Sequence, residues 1–343
     1  MSTELLTVNA ENPDSRAIRR AAAVLRGGGL VAFPTETVYG LGANALDAAA
    51  VGRIFAAKGR PAANPVIVHV ADPDAVLNVA AEWPETAAKL AARFWPGPLT
   101  LVVKKRLEIP SIVTAGGPTV AVRCPAHLVA RALIREAGLP IAAPSANRST
   151  ELSPTRAEHI LSGLDGRIDM ILDGGPCPGG LESTVIDVTG EHVRLLRPGL
   201  ISVPMLEEIV GRVEMESSNN DGTESVARSP GQMARHYSPR TKLRLVEGDA
   251  LVDDLLEAVH AGRRVGSVMF HGTGFAPDSG TKGFVSLPAD PVLAASLLYD
   301  TLFRLDRAGL DLILVEMPPE GPEWAAIRDR LTRAAAKEVA TGM

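Results

Sequence analysis

The chain has little with which to build covalently or metal-braced structure. Its only cysteines are Cys124 and Cys177, too few for a disulfide framework or a thiolate zinc site. The seven histidines (His69, His127, His159, His192, His236, His260 and His271) show no metal-ligand spacing, and no Gly-x-Ser-x-Gly elbow is present. A zinc enzyme and a serine hydrolase are therefore not expected. Aromatic residues are 4% of the chain, so its cores must rest on Ala, Val, Leu and Ile. Basic residues are in no excess: the formal net charge is −5, and residues 1–210 carry 20 Lys and Arg against 21 Asp and Glu. Unaided tight grip on nucleic-acid phosphates needs a basic surplus, so any nucleic-acid contact is expected to be weak or indirect. No apolar run approaches the ~20 residues that span a bilayer, and Met1–Asp14 lacks the pattern of a secretory signal. A reduced, cytoplasmic protein is expected.

What is present is a chain with 46% hydrophobic and 22% charged residues in a length of 343, enough for about two domains of roughly 150 residues each. Apolar residues at helical spacing mark helices over 15–26, 47–58, 84–95, 126–137, 155–163 and 204–211, with a helical stretch near 73–80. Apolar, β-branched runs mark strands over 30–33, 65–70, 99–103, 119–123, 140–143, 168–172, 183–188 and 192–197. Some strands follow one another without a helix, which points to a mixed sheet. The polar, aperiodic stretch 216–225 reads as a linker, running into Ser229-Pro230-Gly231-Gln232-Met233-Ala234-Arg235-His236-Tyr237-Ser238-Pro239. Beyond Lys242, strands (243–246, 264–270, 311–316) alternate with helices (249–261, 291–308, 324–339), a smaller Rossmann-like α/β unit. The expected division is 1–212, linker 213–240, and 241–343.

Gly40-Leu41-Gly42-Ala43-Asn44-Ala45 matches the dinucleotide fingerprint G-x-G-x-x-A, but Lys58 and Arg60 stand where its acidic residue belongs. Lys58-Gly59-Arg60-Pro61 with Asn64 reads evenly as a capped helix end or as an anion site before a strand ending in His69. The Ser145-Ala146-Asn147 turn, Ser183-Thr184 and Arg197 carry the same two readings, a ligand site outside strand ends or ordinary turns.

Taken in order, Pro34-Thr35-Glu36-Thr37-Val38-Tyr39-Gly40-Leu41-Gly42, Lys58-Gly59-Arg60-Pro61 with Asn64-Pro65 and His69, Trp95-Pro96-Gly97-Pro98-Leu99-Thr100, Val122-Arg123-Cys124-Pro125, Pro144-Ser145-Ala146-Asn147, Ser183-Thr184-Val185 and Arg197-Pro198-Gly199 make a series that resembles the threonylcarbamoyl-AMP synthase family in its two-domain form. The resemblance implies a YrdC-like α/β domain, a twisted mixed sheet with a basic cavity. It implies that L-threonine, bicarbonate and ATP, with Mg2+ held mainly through the ATP phosphates, give threonylcarbamoyl-AMP and pyrophosphate. A downstream transferase complex would then modify an adenosine in tRNA.

The resemblance also implies roles. Lys58 and Arg60 are the catalytic candidates. Lys58, Asn64, Thr119, Ser145, Asn147, Ser153, Arg197, His236 and Tyr237 would bind ATP, and Thr35, His69, Arg123 and Ser183 would bind threonine. The linker motif departs from the family wording at Gln232-Met233, where Met-Lys is usual. A carbamoyl-phosphate enzyme and an RNA-binding module are the competing readings.

Overall fold

The computed structural model describes residues 2–215, 236–270 and 283–336, so Ser229–Arg235 of the linker motif lies outside the described residues. Two compact units result. Residues 2–149, 154–178 and 182–215 form the first, and residues 150–153, 179–181, 236–270 and 283–336 form the second. The segment 150–153 groups with the second unit because Ser238 N donates to Thr150 O at 2.9 Å, and Glu151 makes a β-bridge to Ser238.

The first unit runs β1 (Glu4–Thr7), α1 (Ser15–Arg26), β2 (Val31–Phe33), β3 (Gly40–Asn44), α2 (Ala48–Lys58), β4 (Val68–His69), α3 (Glu85–Phe94), β5 (Leu99–Lys104), β6 (Thr119–Arg123), α4 (Leu128–Ala137), β7 (Ile141–Ala142), α5 (Ala157–Leu164), β8 (Met170–Asp173), β9 (Thr184–Asp187), β10 (Val193–Arg197), α6 (Val203–Val210) and β11 (Val213–Met215). Side-chain caps start several helices: Asp14 accepts from Arg16 N, and Asp47 from Ala49 N and Ala50 N. The strands form one mixed sheet ordered β1-β8-β2-β3-β7-β4-β6-β5-β9-β10-β11.

Side chains alternate across this sheet, as a pleat requires. Ala32, Leu41, Ala142 and Ile171 join the core beneath α2, α3, α5 and α6. Val31, Phe33, Ile141, Met170 and Leu172 join the one beneath α1 and α4. Both faces are covered there, so these strands read as continuous apolar runs. Farther along, Leu99, Leu101, Val103, Val120 and Val122 belong to the first core, while their alternates Val102 and Ala121 join Ile67, Val185 and Leu196 in a small separate cluster. Every described member of that cluster comes from a strand or from the residue just before β4. This is the sheet face that carries the candidate site.

Some elements differ from expectation. The expected strand 65–70 shortens to Val68–His69, since Pro65 has no N–H and Val66 N is spent on Val113 O at 2.9 Å. The stretch 73–80 is a 3-10 helix over Pro73–Asn78. Strands β1, β3 and β11 went unread. In β3 the residues of the dinucleotide-like motif are strand, not phosphate loop. A Cβ on Gly42 would come within 2.7 Å of the Phe33 ring and 2.8 Å of Ile141 Cγ2, so glycine there serves strand packing.

The second unit has β12 (Leu243–Val246), α7 (Leu251–His260), β13 (Val265–Met269), β14 (Phe284–Ser286), α8 (Pro291–Asp306), β15 (Leu312–Glu316) and α9 (Ala325–Ala335). Its sheet, β12-β15-β13-β14, is parallel throughout, as a Rossmann-like unit requires; β14 was not expected. No described helix is long and apolar enough to cross a membrane.

Candidate functional site

Strand geometry alone gathers distant residues. Thr119, Ala121 and Arg123 are alternate residues of β6 and project from one face, the face of the small cluster holding Ala121. β4 runs parallel to β6 with His69 opposite Arg123. β5 runs antiparallel to β6, and β9 parallel to β5 with Thr184 opposite Leu99. Ser183 therefore arrives beside the end of β6. Arg197 closes β10, antiparallel to β9 and opposite Val185. Thus His69, Arg123, Ser183 and Arg197 meet at one end of the sheet, although 128 positions separate the first from the last.

Arg123 is buried, 4% exposed. Its Nη1 donates to Thr37 Oγ1 at 2.9 Å and its Nε to Gly97 O at 3.2 Å. Thr35 holds the same loop, with Oγ1 on Thr37 Oγ1 at 2.8 Å and on Val38 O at 2.7 Å. Ser183 shares a 2.7 Å hydroxyl contact with Thr100. Arg197 reaches it through Nε and Nη2 to Ser183 O, at 3.1 and 3.0 Å. Gly199 permits that approach, because a Cβ there would stand 2.2 Å from Thr184 N.

His69 lies against this group with its Nδ1 buried and lacking a hydrogen-bond partner. Burial first, and the Arg123 charge second, push its imidazole down to about 3, so it is neutral at physiological pH. The unfolded state binds a proton near 6.5 that the folded state refuses. The stability due to neutral His69 is thus complete above about pH 6.5 and is lost as pH falls toward 3. Urea unfolding midpoints should drop across that window in the wild type. In His69→Asn that fall should be shallower by up to about 1.4 kcal/mol per pH unit; identical pH profiles would contradict the burial of a neutral imidazole.

A second cluster adjoins through the same loop. Leu41 N donates to Pro144 O and Ala146 N to Tyr39 O, both at 2.8 Å, stitching the Ser145–Asn147 turn to the segment after Thr37. Lys58, at the end of α2 and 2% exposed, sends Nζ to Ser145 O at 2.6 Å, Asn147 O at 2.5 Å and Asn147 Oδ1 at 3.4 Å. Arg60 donates to Asn64 O and Pro65 O at 3.1 and 2.8 Å. Two buried cations therefore fasten the very segments that carry Asn64, Ser145 and Asn147. Of the two readings of this motif, the structure shows the cations as fasteners: Lys58 holds the polar turn, and Arg60 holds the stretch leading into β4.

Pro65, Thr119 and Ala121 line a cavity of about 600 Å³, with Lys104 and Lys105 on its wall; this is the size of a small-molecule site. Thr119 and Arg123, four residues apart on one strand, stand about 13 Å from each other. Ser153, His236 and Tyr237 belong to the second unit. Ser153 is fully buried. Tyr237 stacks on Tyr299 at 6.1 Å, touches His236 edge-on, and lies beneath the Arg330 guanidinium at 4.9 Å.

The fold and these residues define a two-unit α/β protein whose larger unit buries Lys58, Arg60, Arg123 and Arg197 and carries a cavity lined in part by β6. A family described as telomere recombination matches residues 23–199, and one described as threonylcarbamoyl-AMP synthase, C-terminal domain, matches residues 201–336. The chain belongs to the threonylcarbamoyl-AMP synthase family, in its two-domain form. It is 43% identical over 323 residues to a threonylcarbamoyl-AMP synthase of Pyrococcus abyssi, covering 92% of this chain and 93% of the relative. It is also 43% identical over 325 residues to that of Bacillus subtilis, covering 94% of each. A crystal structure of P. abyssi Sua5 complexed with L-threonine matches with TM-score 0.89 at 42% identity, over 97% of this chain and 98% of that one.

Sequence reasoning passed over Thr37 and Thr100, which hold Arg123 and Ser183, and over Lys104 and Lys105 on the cavity wall. Thr37 and Thr100 carried no local signal, since the residues they hold are 86 and 83 positions away; Thr119, already a candidate, shares the Arg123 face through the alternation of β6.

Proposed function

We propose that the chain joins L-threonine, bicarbonate and ATP into threonylcarbamoyl-AMP with release of pyrophosphate. The observation that carries the reading is the single face of β6. It offers a guanidinium suited to a carboxylate at Arg123 and, about 13 Å away, Thr119 on a nucleotide-sized cavity. An amino acid joined through carbamoyl and phosphate to adenosine is an extended anionic ligand of matching polarity.

Arg123 takes the threonine carboxylate, which when buried needs a charged partner, and Thr35, His69 and Ser183 complete that pocket. Neutral His69 accepts or donates a hydrogen bond without adding charge. The amine attacks the bicarbonate carbon, and water leaves. A carbamate oxygen then attacks the α-phosphorus, and pyrophosphate departs. Lys58, Arg60 and Arg197 face the charge that accumulates, where fixed cations act most strongly. A phosphate oxygen competes well for Lys58 Nζ, because charge-assisted hydrogen bonds are about twice as strong as those to neutral acceptors.

Asn64, Ser145, Asn147 and Thr119 line the nucleotide. Lys58 Nζ meets neutral oxygens, the Ser145 and Asn147 carbonyls and the Asn147 amide, and Mg2+ would be held by the phosphates, where it would neutralise charge. The ATP roles of Ser153, His236 and Tyr237 rest on the family resemblance alone. A near-neutral charge balance fits hand-over of the product to a separate tRNA-modifying transferase in the cytoplasm. Incubation with ATP, L-threonine and 13C-bicarbonate should yield an adenylate whose mass carries both threonine and the label. An adenylate without the label would refute the order of steps.

A further inference from the structure

Glu36 has no part in the reading above, yet its place is unusual. Its side chain is 13% exposed, and Oε1 lies 2.7 Å from Arg123 Nη2. The two charges touch without hydrogen-bond alignment, so Nη2 and both Glu36 oxygens are buried without an aligned partner. The Cys177 thiol and the His127 imidazole both feel the carboxylate's charge, and neither donates to it. A buried carboxylate ordinarily collects donors, and a buried pair with poor alignment recovers little of its desolvation cost. Arg123 spends its better-aligned hydrogens on Thr37 and Gly97, leaving Nη2 and Glu36 as the unsatisfied ends of a facing pair.

We propose that this pair is the recognition element for the amino-acid zwitterion: the substrate carboxylate replaces Glu36 on Arg123 Nη2, and the substrate ammonium takes the Glu36 carboxylate. The exchange conserves charge. One internal ion pair becomes two, and the ammonium supplies the donors that Glu36 lacks. The inference rests on the proposed binding of L-threonine at Arg123. It adds the group that distinguishes an amino acid from a plain hydroxy acid. Before substrate arrives, Glu36 keeps Arg123 neutralised, so a carboxylate without an ammonium must displace Glu36 and leave it buried and unpaired.

Titration calorimetry on the full chain tests this, with L-threonine and its des-amino analogue (R)-3-hydroxybutanoate as the probes. The wild type should bind threonine at least about a hundredfold more tightly than the analogue. In Glu36→Gln, threonine should weaken about tenfold or more, while the analogue should bind as well as before or better, its competitor for Arg123 being gone. Glu36→Asp should keep part of the discrimination, and serves if the Gln variant fails to fold. Equal weakening of both probes would make Glu36 merely structural, and unchanged threonine affinity would remove it from the site. A wild type that does not bind threonine would instead overturn the binding reading itself.

Discussion

Arg123→Ala is expected to raise the L-threonine concentration for half-maximal turnover by about a hundredfold or more, while shifting the ATP requirement little. The magnitude follows from losing a charged, forked partner for a buried carboxylate, where every ~1.4 kcal/mol is tenfold. Selectivity follows from position: Arg123 stands about 13 Å along β6 from Thr119, so its loss strips the amino-acid end and spares the nucleotide end. The substitution also leaves Glu36 without its counter-charge, which should lower unfolding free energy by about 3–5 kcal/mol. Arg123→Lys keeps the charge and loses the fork, so it should stay better folded and fall between the two in threonine requirement. Steady-state kinetics with each substrate varied in turn settle the matter. Equal effects on threonine and ATP would contradict the assignment.

The second large effect belongs to Lys58. Its Nζ holds the Ser145 and Asn147 carbonyls at 2.6 and 2.5 Å from a site 2% exposed. Lys58→Ala takes the ammonium away from those acceptors, a loss of roughly 1–3 kcal/mol apiece, and should destabilise by about 2–5 kcal/mol. In the proposed mechanism it also removes a fixed cation set against the accumulating charge, a loss of about a hundredfold or more in turnover by analogy with other electrostatic stabilisers. The two consequences separate by temperature: well below the variant's unfolding transition, turnover should remain depressed although the protein is folded. Turnover that recovers fully on cooling would reduce Lys58 to a fastener.

Which parts of this were legible beforehand follows from how local each signal is. α1 was read to the residue, 15–26, because its apolar spacing and the Gly27 stop are local signals. The run 119–123 was equally plain, being β-branched and buried. Strand β3 was not, because Gly40 and Gly42 carry no strand propensity of their own and are needed only where Phe33 and Ile141 press close. β1 and β11 are short and gain their pairing from β8 and β10, which sequence spacing does not reveal. The site follows the same rule. Lys58, Arg60 and Asn64 sit within one short motif, whereas the meeting of His69 with Arg123, and of Ser183 with Arg197, exists only through strand order. Local motif logic left Ser183 and Arg197 between turn and ligand site and did not reach Arg123, which entered with the ordered series of motifs. Glu36 lay inside a quoted motif and was still passed over, because its significance lies in an unaligned contact with a residue 87 positions away.

The most direct test of the central claim is pyrophosphate release from ATP, followed with L-threonine and bicarbonate each present or withheld. Release should require both, with L-serine a markedly poorer substitute for threonine. Release that proceeds at the same rate without threonine, or no release with all three present, would contradict it.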